Sequence, residues 1–94
     1  MTAAFDEIHN LREQAVFAAI AEIAPTYPQF GSDLIADVGC IALNRVPARY
    51  VRHTVDFTFY QTTLERENDQ RAIDEAVRYA IDFLQARTAI RARP

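Results

Sequence analysis

A chain of 94 residues with a net charge of −3 is long enough for one small domain, and the acidic charge argues against a protein built mainly to coat nucleic acid. Half of its residues are hydrophobic, which is enough for a core, although a domain of this size also gains stability from oligomerisation. The single cysteine excludes an internal disulfide or a cysteine-based zinc site. No apolar run approaches the ~18 residues of a membrane span, and the N-terminus does not have the pattern of a signal peptide. We therefore expect a cytoplasmic protein.

Apolar residues at spacings of three and four predict a first helix from about Thr2 to Ala24. Asn10 and Glu13 have the spacing of a capping box, which offers a later start at Asn10. Pro25 ends this helix because a proline lacks the N–H that the helix needs.

A second helix is predicted from a cap at Ser32 or Asp33 to about Asn44. Gly39 in its middle costs about 1 kcal/mol relative to alanine, which predicts a close approach of another helix. Cys40 is expected to be a small buried hydrophobic residue.

From Arg49 to Tyr60 the pattern changes to strict alternation, which predicts a half-buried strand with His53 on its apolar face. Such a strand needs a partner, either in a hairpin or in a second copy of the chain, and we favour pairing across a symmetric homodimer. A third helix follows, from a capping box at Thr62 and Glu65 or from a later start at Asn68, with an apolar stripe that reaches Leu84. We therefore predict a single α+β domain over residues 1–94, mainly helical, with three helices and one short strand region between helices 2 and 3.

Residues with catalytic or metal-binding chemistry are sparse. His9 and His53 lie far apart, and neither has a second ligand three or four positions away, so no metal site is predicted. No serine or cysteine is visibly paired with a base, and no glycine-rich phosphate loop is present. The sequence gives no positive indication of an enzyme or of a resident cofactor.

The turn between helix 2 and the predicted strand is the candidate binding site. It gathers an amide, three arginines and an aromatic ring around Pro47, and arginine suits bidentate contact with a phosphate or a guanine edge. The alternative is that these arginines form ion pairs within the protein, and composition favours neither. The candidate ligand-binding residues are Asn44, Arg45, Arg49, Tyr50 and Arg52, and the candidate acidic partners are Asp33, Asp37 and Asp56.

The run from Asp37 to Val51 carries a recognisable motif. Its matching positions are Asp37, Asn44, Pro47, Arg49, Tyr50 and Val51, preceded near the first helix by Asn10, Glu13 and Val16. With these residues the sequence resembles the ComFB family of late competence proteins. Ala48 replaces the second proline of the family motif, and Cys40 replaces an alanine.

The resemblance implies a small helical domain that forms a homodimer. Some members bind structural zinc through cysteines before the second helix, and this chain has none there. Members have been implicated as receptors for cyclic di-GMP, which leads us to expect a non-enzymatic receptor that passes its signal to an unidentified partner protein. In that hypothesis Arg45 and Arg49 contact phosphate or guanine, Tyr50 or Arg52 stacks, and Asn44 contacts a base edge or holds the turn.

The alternative function is a ligand-free dimeric protein-interaction module. A DNA-binding regulator is less favoured because the net charge is acidic. The sequence leaves open which cyclic dinucleotide is bound, if any, the sign of the regulation, and whether the strand pairs within or between chains.

Overall fold

The computed structural model describes residues 3–91 of the chain, so Thr2, the expected start of the first helix, lies outside this range. Within the range the helix begins only at Arg12, so the early start was wrong and the later start offered at Asn10 is off by two residues. In chain order, the elements are a 3-10 turn at Ala3–Phe5, β1 at His9–Asn10, α1 at Arg12–Ile23, a 3-10 turn at Ala24–Thr26, α2 at Ser32–Arg45, β2 at Tyr50–Val51, α3 at Thr54–Tyr60 and α4 at Thr63–Arg91. The domain is mainly helical, as predicted, but the described residues form four helices where the sequence predicted three.

The core lies between α1, α2 and α4. Helix α2 makes its largest contact with α4, and α1 lies against both. The largest fully buried side chains are Val16, Val38 and Leu84, one from each of the three helices. Val38 and Leu84 belong to the apolar stripes that predicted their helices, because a helix buries one face against its neighbours. Val16 was outside the predicted stripe of the first helix, although the buried Ile20 was part of it.

Helix α2 ends because of the proline that follows it. Val46, directly before Pro47, has φ −85° and ψ 128°, the extended geometry that a following proline imposes on its neighbour. The predicted stop at Pro47 is therefore confirmed, with the helix ending at Arg45, one residue later than expected. Asn44, the expected last residue of this helix, remains inside it.

Gly39 faces α1, but its place does not require a glycine. An added Cβ would lie 3.6 Å from Phe17 Cε1 and 3.8 Å from Ile20 Cδ1, which are ordinary contact distances. The expectation for Cys40 was wrong, since the cysteine is exposed. It lies one turn after the exposed Ala36, and both residues line an open apolar groove between α1 and α2.

The predicted strand from Arg49 to Tyr60 was wrong over most of its length. Only Tyr50–Val51 is a strand, and it pairs antiparallel with β1 of the same chain, with His9 opposite Val51 and Asn10 opposite Tyr50. Pairing across a homodimer was therefore not needed for these two residues, and the homodimer itself stays a prediction.

Residues 54–60 form α3 instead of the rest of the strand. None of its residues is buried, and Val55 and Phe59 are each 78% exposed. A strand at this position would need a partner for its backbone N–H and C=O groups, whereas a helix bonds them internally. Alternation of apolar residues predicted a covered sheet face, but residues 3–91 supply no second layer to cover it. His53 stands at the N-cap position of α3 without a side-chain capping bond and is exposed, so its predicted place on an apolar strand face was also wrong.

Helix α4 begins with the predicted capping box. The backbone N–H of Glu65 donates to Thr62 Oγ1 at 3.1 Å, and Glu65 Oε2 accepts a longer bond of 3.4 Å from the Thr62 N–H. None of the helices in residues 3–91 is both long enough and apolar enough to cross a bilayer.

Candidate functional site

Asn10 connects the turn that carries the arginines to the start of α1 through hydrogen bonds. Its side-chain Oδ1 accepts hydrogen bonds from the backbone N–H of Arg12 at 3.2 Å and of Arg49 at 2.9 Å. The backbone N–H of Leu11 donates to the Arg49 carbonyl at 2.7 Å. One amide oxygen therefore joins two segments that are 39 positions apart, and it fixes where the Arg49 side chain leaves the backbone.

The two leading arginines of the predicted site lie on aromatic rings of different helices. The guanidinium carbon of Arg45 lies 3.7 Å from the ring centroid of Tyr79 in α4. That of Arg49 lies 4.7 Å from the ring centroid of Phe57 in α3. Such stacking orients a guanidinium group while leaving its N–H edge free for another acceptor.

The proposed ion pairs of the turn are not formed. Within residues 3–91, no ion pair joins Arg45, Arg49 or Arg52 to a carboxylate, and Asp37 instead faces Arg87 at a long 3.9 Å. This finding removes the alternative in which the turn arginines serve mainly as partners for the aspartates.

The five predicted site residues are all exposed, but the structure does not gather them into one pocket. Only Arg49 lines a described cleft. Tyr50 is 68% exposed, and in the described part of the chain the side chains of Asn44, Tyr50 and Arg52 make no hydrogen bond. The turn-holding role expected of Asn44 therefore belongs to Asn10.

The cleft beside Arg49 lies between the turn, α3 and the start of α4. It has a volume of about 310 Å³. It combines one cation, two carboxylates, two rings and an amide. Its lining residues are Arg49, Asp56, Phe57, Tyr60, Gln61 and Glu65.

A second cleft adjoins the first and shares Phe57 and Gln61 with it. It lies between α1, α3 and α4, has a volume of about 200 Å³, and is lined by Arg12 and Arg66 among other residues. Arg66 has no ion pair with any residue in the described range. This second cleft is therefore the more cationic of the two.

Arg12 is the most enclosed charge of this region. Its side chain is only 15% exposed, and its Nη1 lies 3.2 Å from Asp69 Oδ2. Gln61 Nε2 donates to the same Asp69 oxygen at 2.6 Å. The buried Nε of Arg12 has no hydrogen-bond partner among the described residues, so this cluster keeps an unused donor.

A third concavity runs between α1 and α2 and is apolar throughout. It has a volume of about 430 Å³, and its lining residues are Phe17, Ile20, Ala21, Ala24, Ile35, Ala36, Gly39, Cys40 and Leu43. Because no charged or hydrogen-bonding side chain apart from one thiol faces it, this groove does not suit a phosphate or a nucleobase.

His9 bridges elements of the same region. Its Nε2 lies 3.1 Å from Thr54 Oγ1, at the first residue of α3, and its Nδ1 lies 3.1 Å from the Glu7 carbonyl oxygen. These contacts tie β1 to the start of α3. Across residues 3–91, no group of three or more His, Cys, Asp or Glu side chains is placed to hold a metal ion.

Sequence reasoning missed the positioning role of Asn10 and the clefts around α3. Asn10 carried a signal, because it belongs to the motif upstream of the turn. Arg12 and Arg66 carried no such signal, because no pattern in the neighbouring sequence shows that the starts of α1 and α4 meet beside α3.

A family model described as "Late competence development protein ComFB" matches residues 9–88, most of the chain. No similar curated protein and no similar solved structure was found. The matched range contains Asn10, the arginine turn and both clefts.

Proposed function

Because this chain belongs to the ComFB family, we propose that it is a non-enzymatic receptor for cyclic di-GMP that signals to a partner protein. The observation that carries the proposal is the placement of Arg49. Its backbone is held by Asn10, its guanidinium lies over Phe57, and no acid in residues 3–91 neutralises it through an ion pair.

The chemistry of cyclic di-GMP fits these groups. The ligand offers two phosphates and two guanines, and arginine binds both a phosphate and the O6/N7 edge of guanine in a bidentate manner. Stacking on an aromatic ring orients the guanidinium before the ligand arrives, which lowers the entropic cost of binding. Arg45, placed in the same way on Tyr79, is the second candidate contact.

The proposed receptor is a homodimer in which a second copy covers the outer face of α3. Val55 and Phe59 are one helical turn apart, and each is 78% exposed, whereas the opposite side of α3 lines the Arg49 cleft. An isologous contact through Val55 and Phe59 would place two Arg49 clefts about one two-fold axis. Cyclic di-GMP is itself two-fold symmetric, so the arrangement of the clefts would match that of the ligand.

Calorimetric titration tests the receptor directly, with cyclic di-AMP as the comparison nucleotide. We expect micromolar or tighter binding of cyclic di-GMP, and at least a tenfold loss in Arg49→Ala. The matched control is Arg91→Ala, which removes the same charge from the exposed last residue of α4. Equal affinity of Arg49→Ala and the parent protein would show that the assignment is wrong.

The second candidate function is a dimeric interaction module that binds no nucleotide. The exposed Val55 and Phe59 favour it, because large apolar side chains at an interface need no ligand. Sedimentation equilibrium would then show a dimer that Phe59→Ser converts to a monomer, while calorimetry shows no heat with either nucleotide.

A further inference from the structure

We propose that the cleft beside Arg49 is a guanine subsite in which the carboxylates of Asp56 and Glu65 select guanine over adenine, and that Arg66 in the adjoining cleft holds the phosphate of the same nucleotide unit. This inference deepens the proposed receptor function and rests on it. It assigns the base and the phosphate to different clefts, and it extends the site beyond the arginine turn.

The charge of the first cleft separates base binding from phosphate binding. One arginine faces two carboxylates there, so the cleft carries a formal net charge of −1 and repels a phosphate. A neutral base that offers both donors and acceptors suits it better. Guanine is such a base, because its N1–H and N2–H₂ donate while its O6 and N7 accept.

The two carboxylates distinguish guanine from adenine. An ionised carboxylate only accepts hydrogen bonds, so it pairs with the adjacent N1–H and N2–H₂ donors of guanine. Adenine presents the unprotonated N1 lone pair at the corresponding position, which a carboxylate repels. Arg49 supplies the complementary donors for O6 and N7.

The dimensions and rings of the cleft also suit a base. Its volume of about 310 Å³ is at the lower limit of small-molecule sites, so it holds a base better than a whole cyclic dinucleotide. Arg49 already covers one face of Phe57. Tyr60, which is 79% exposed, is therefore the ring that remains for stacking on the base.

The adjoining cleft supplies the positive charge that a phosphate needs. Arg12 and Arg66 face a single acid, Asp69, so the formal net charge is +1. Arg12 is already paired with Asp69, which leaves Arg66 as the uncompensated cation. Because the two clefts share Phe57 and Gln61, a base in one can be joined through its sugar to a phosphate in the other.

The decisive experiment measures the ratio of affinities for cyclic di-GMP and cyclic di-AMP in two conservative variants, Glu65→Gln and Asp56→Asn. Glutamine keeps the length of Glu65 and also serves in a capping box, so the start of α4 is preserved. We expect each variant to bind cyclic di-GMP at least tenfold more weakly and cyclic di-AMP no more weakly than the parent does. Glu67→Gln, two residues along α4 and outside both clefts, is the matched control and should leave the ratio unchanged.

Arg66→Ala tests the phosphate half of the proposal. It should weaken both nucleotides by the same factor and leave their ratio unchanged, because a phosphate contact carries no information about the base. A change in the ratio, or unchanged affinities for both nucleotides, would remove Arg66 from the site.

Titration with GMP and AMP, followed by ligand-detected NMR, separates this inference from the receptor function. If the parent protein prefers GMP to AMP but does not bind cyclic di-GMP, the guanine subsite stands and the receptor function fails. If the parent prefers cyclic di-GMP and both carboxylate variants keep the parent's ratio, the receptor function stands and the guanine subsite is refuted. If the parent binds none of the four nucleotides, both are refuted.

Discussion

Replacing Asn10 by alanine is the sharpest test of how the fold positions the site. The substitution removes one acceptor that serves two backbone donors, the N–H groups of Arg12 and Arg49. The bond to Arg12 satisfies a half-buried donor at the start of α1, although Asn10 precedes the N-cap residue Leu11, and losing a hydrogen bond of this kind costs about 1 kcal/mol. The bond to Arg49 is exposed, so its loss takes the lower end of the usual range, about 0.5 kcal/mol.

The sum is about 1.5 kcal/mol, close to a tenfold change in the ratio of folded to unfolded protein. Equilibrium unfolding in urea, followed by circular dichroism, measures it. With the small m-value of a domain of this size, the midpoint should fall by about 1 M. The thermal midpoint should fall by about 6–12 °C.

Two controls isolate the acceptor role of Asn10. Asn10→Asp keeps an acceptor oxygen in place and adds a charge that the helix N-terminus favours. Its free energy of unfolding should therefore stay within about 0.5 kcal/mol of the parent value. Asn44→Ala removes an exposed amide that makes no hydrogen bond in the described residues, and it should change stability by no more than about 0.5 kcal/mol. If Asn10→Ala unfolds at the same urea concentration as the parent, the two bonds do not hold the turn.

Three further substitutions test the packing by urea unfolding. Leu84→Ala, at a fully buried position, should cost about 2–5 kcal/mol, and a loss below about 1 kcal/mol would contradict the core assignment. Gly39→Ala should raise the free energy of unfolding by about 0.5–1 kcal/mol, because a Cβ fits there at ordinary contact distances and alanine favours the helix. A loss of stability would mean that α1 lies closer to α2 than these distances indicate. Asp69→Ala leaves the largely buried guanidinium of Arg12 without its ion-pair partner and should cost about 1–3 kcal/mol, whereas Asp74→Ala, at an exposed position on the same helix, should cost less than about 0.5 kcal/mol. Equal effects would show that the ion pair is not stabilising.

The parts of the fold that the sequence predicted are those decided within one helical turn. Pro47 ends α2 through its effect on the preceding residue, and the Thr62–Glu65 box starts α4 through two side-chain contacts. Local steric and hydrogen-bonding rules act there without help from the rest of the chain, so a pattern of a few residues is sufficient evidence.

The binding region was only partly predictable because it depends on contacts between distant segments. Arg49 could be identified from its composition and motif. Its attachment to Asn10, however, joins residues 39 positions apart, and the pairing of β1 with β2 that brings them together involves only two residues on each side. A two-residue strand leaves no periodicity in the sequence. Arg12 and Arg66 become neighbours of the site only through that tertiary arrangement.

The fact that residues 54–60 form a helix, and not the predicted strand, decides which side chains line the Arg49 cleft. In a strand, Asp56 and Tyr60 would share one face and Phe57 would lie on the other, so no cleft of mixed character could form. In α3 the same residues lie at positions i, i+1 and i+4, on one side of a helix, where all three line the cleft that Arg49 completes. The helix thus places an acid, two rings and the turn arginine around one space. The acidic and aromatic character of the proposed guanine subsite follows from this helix, and the arginine composition of the turn alone could not have indicated it.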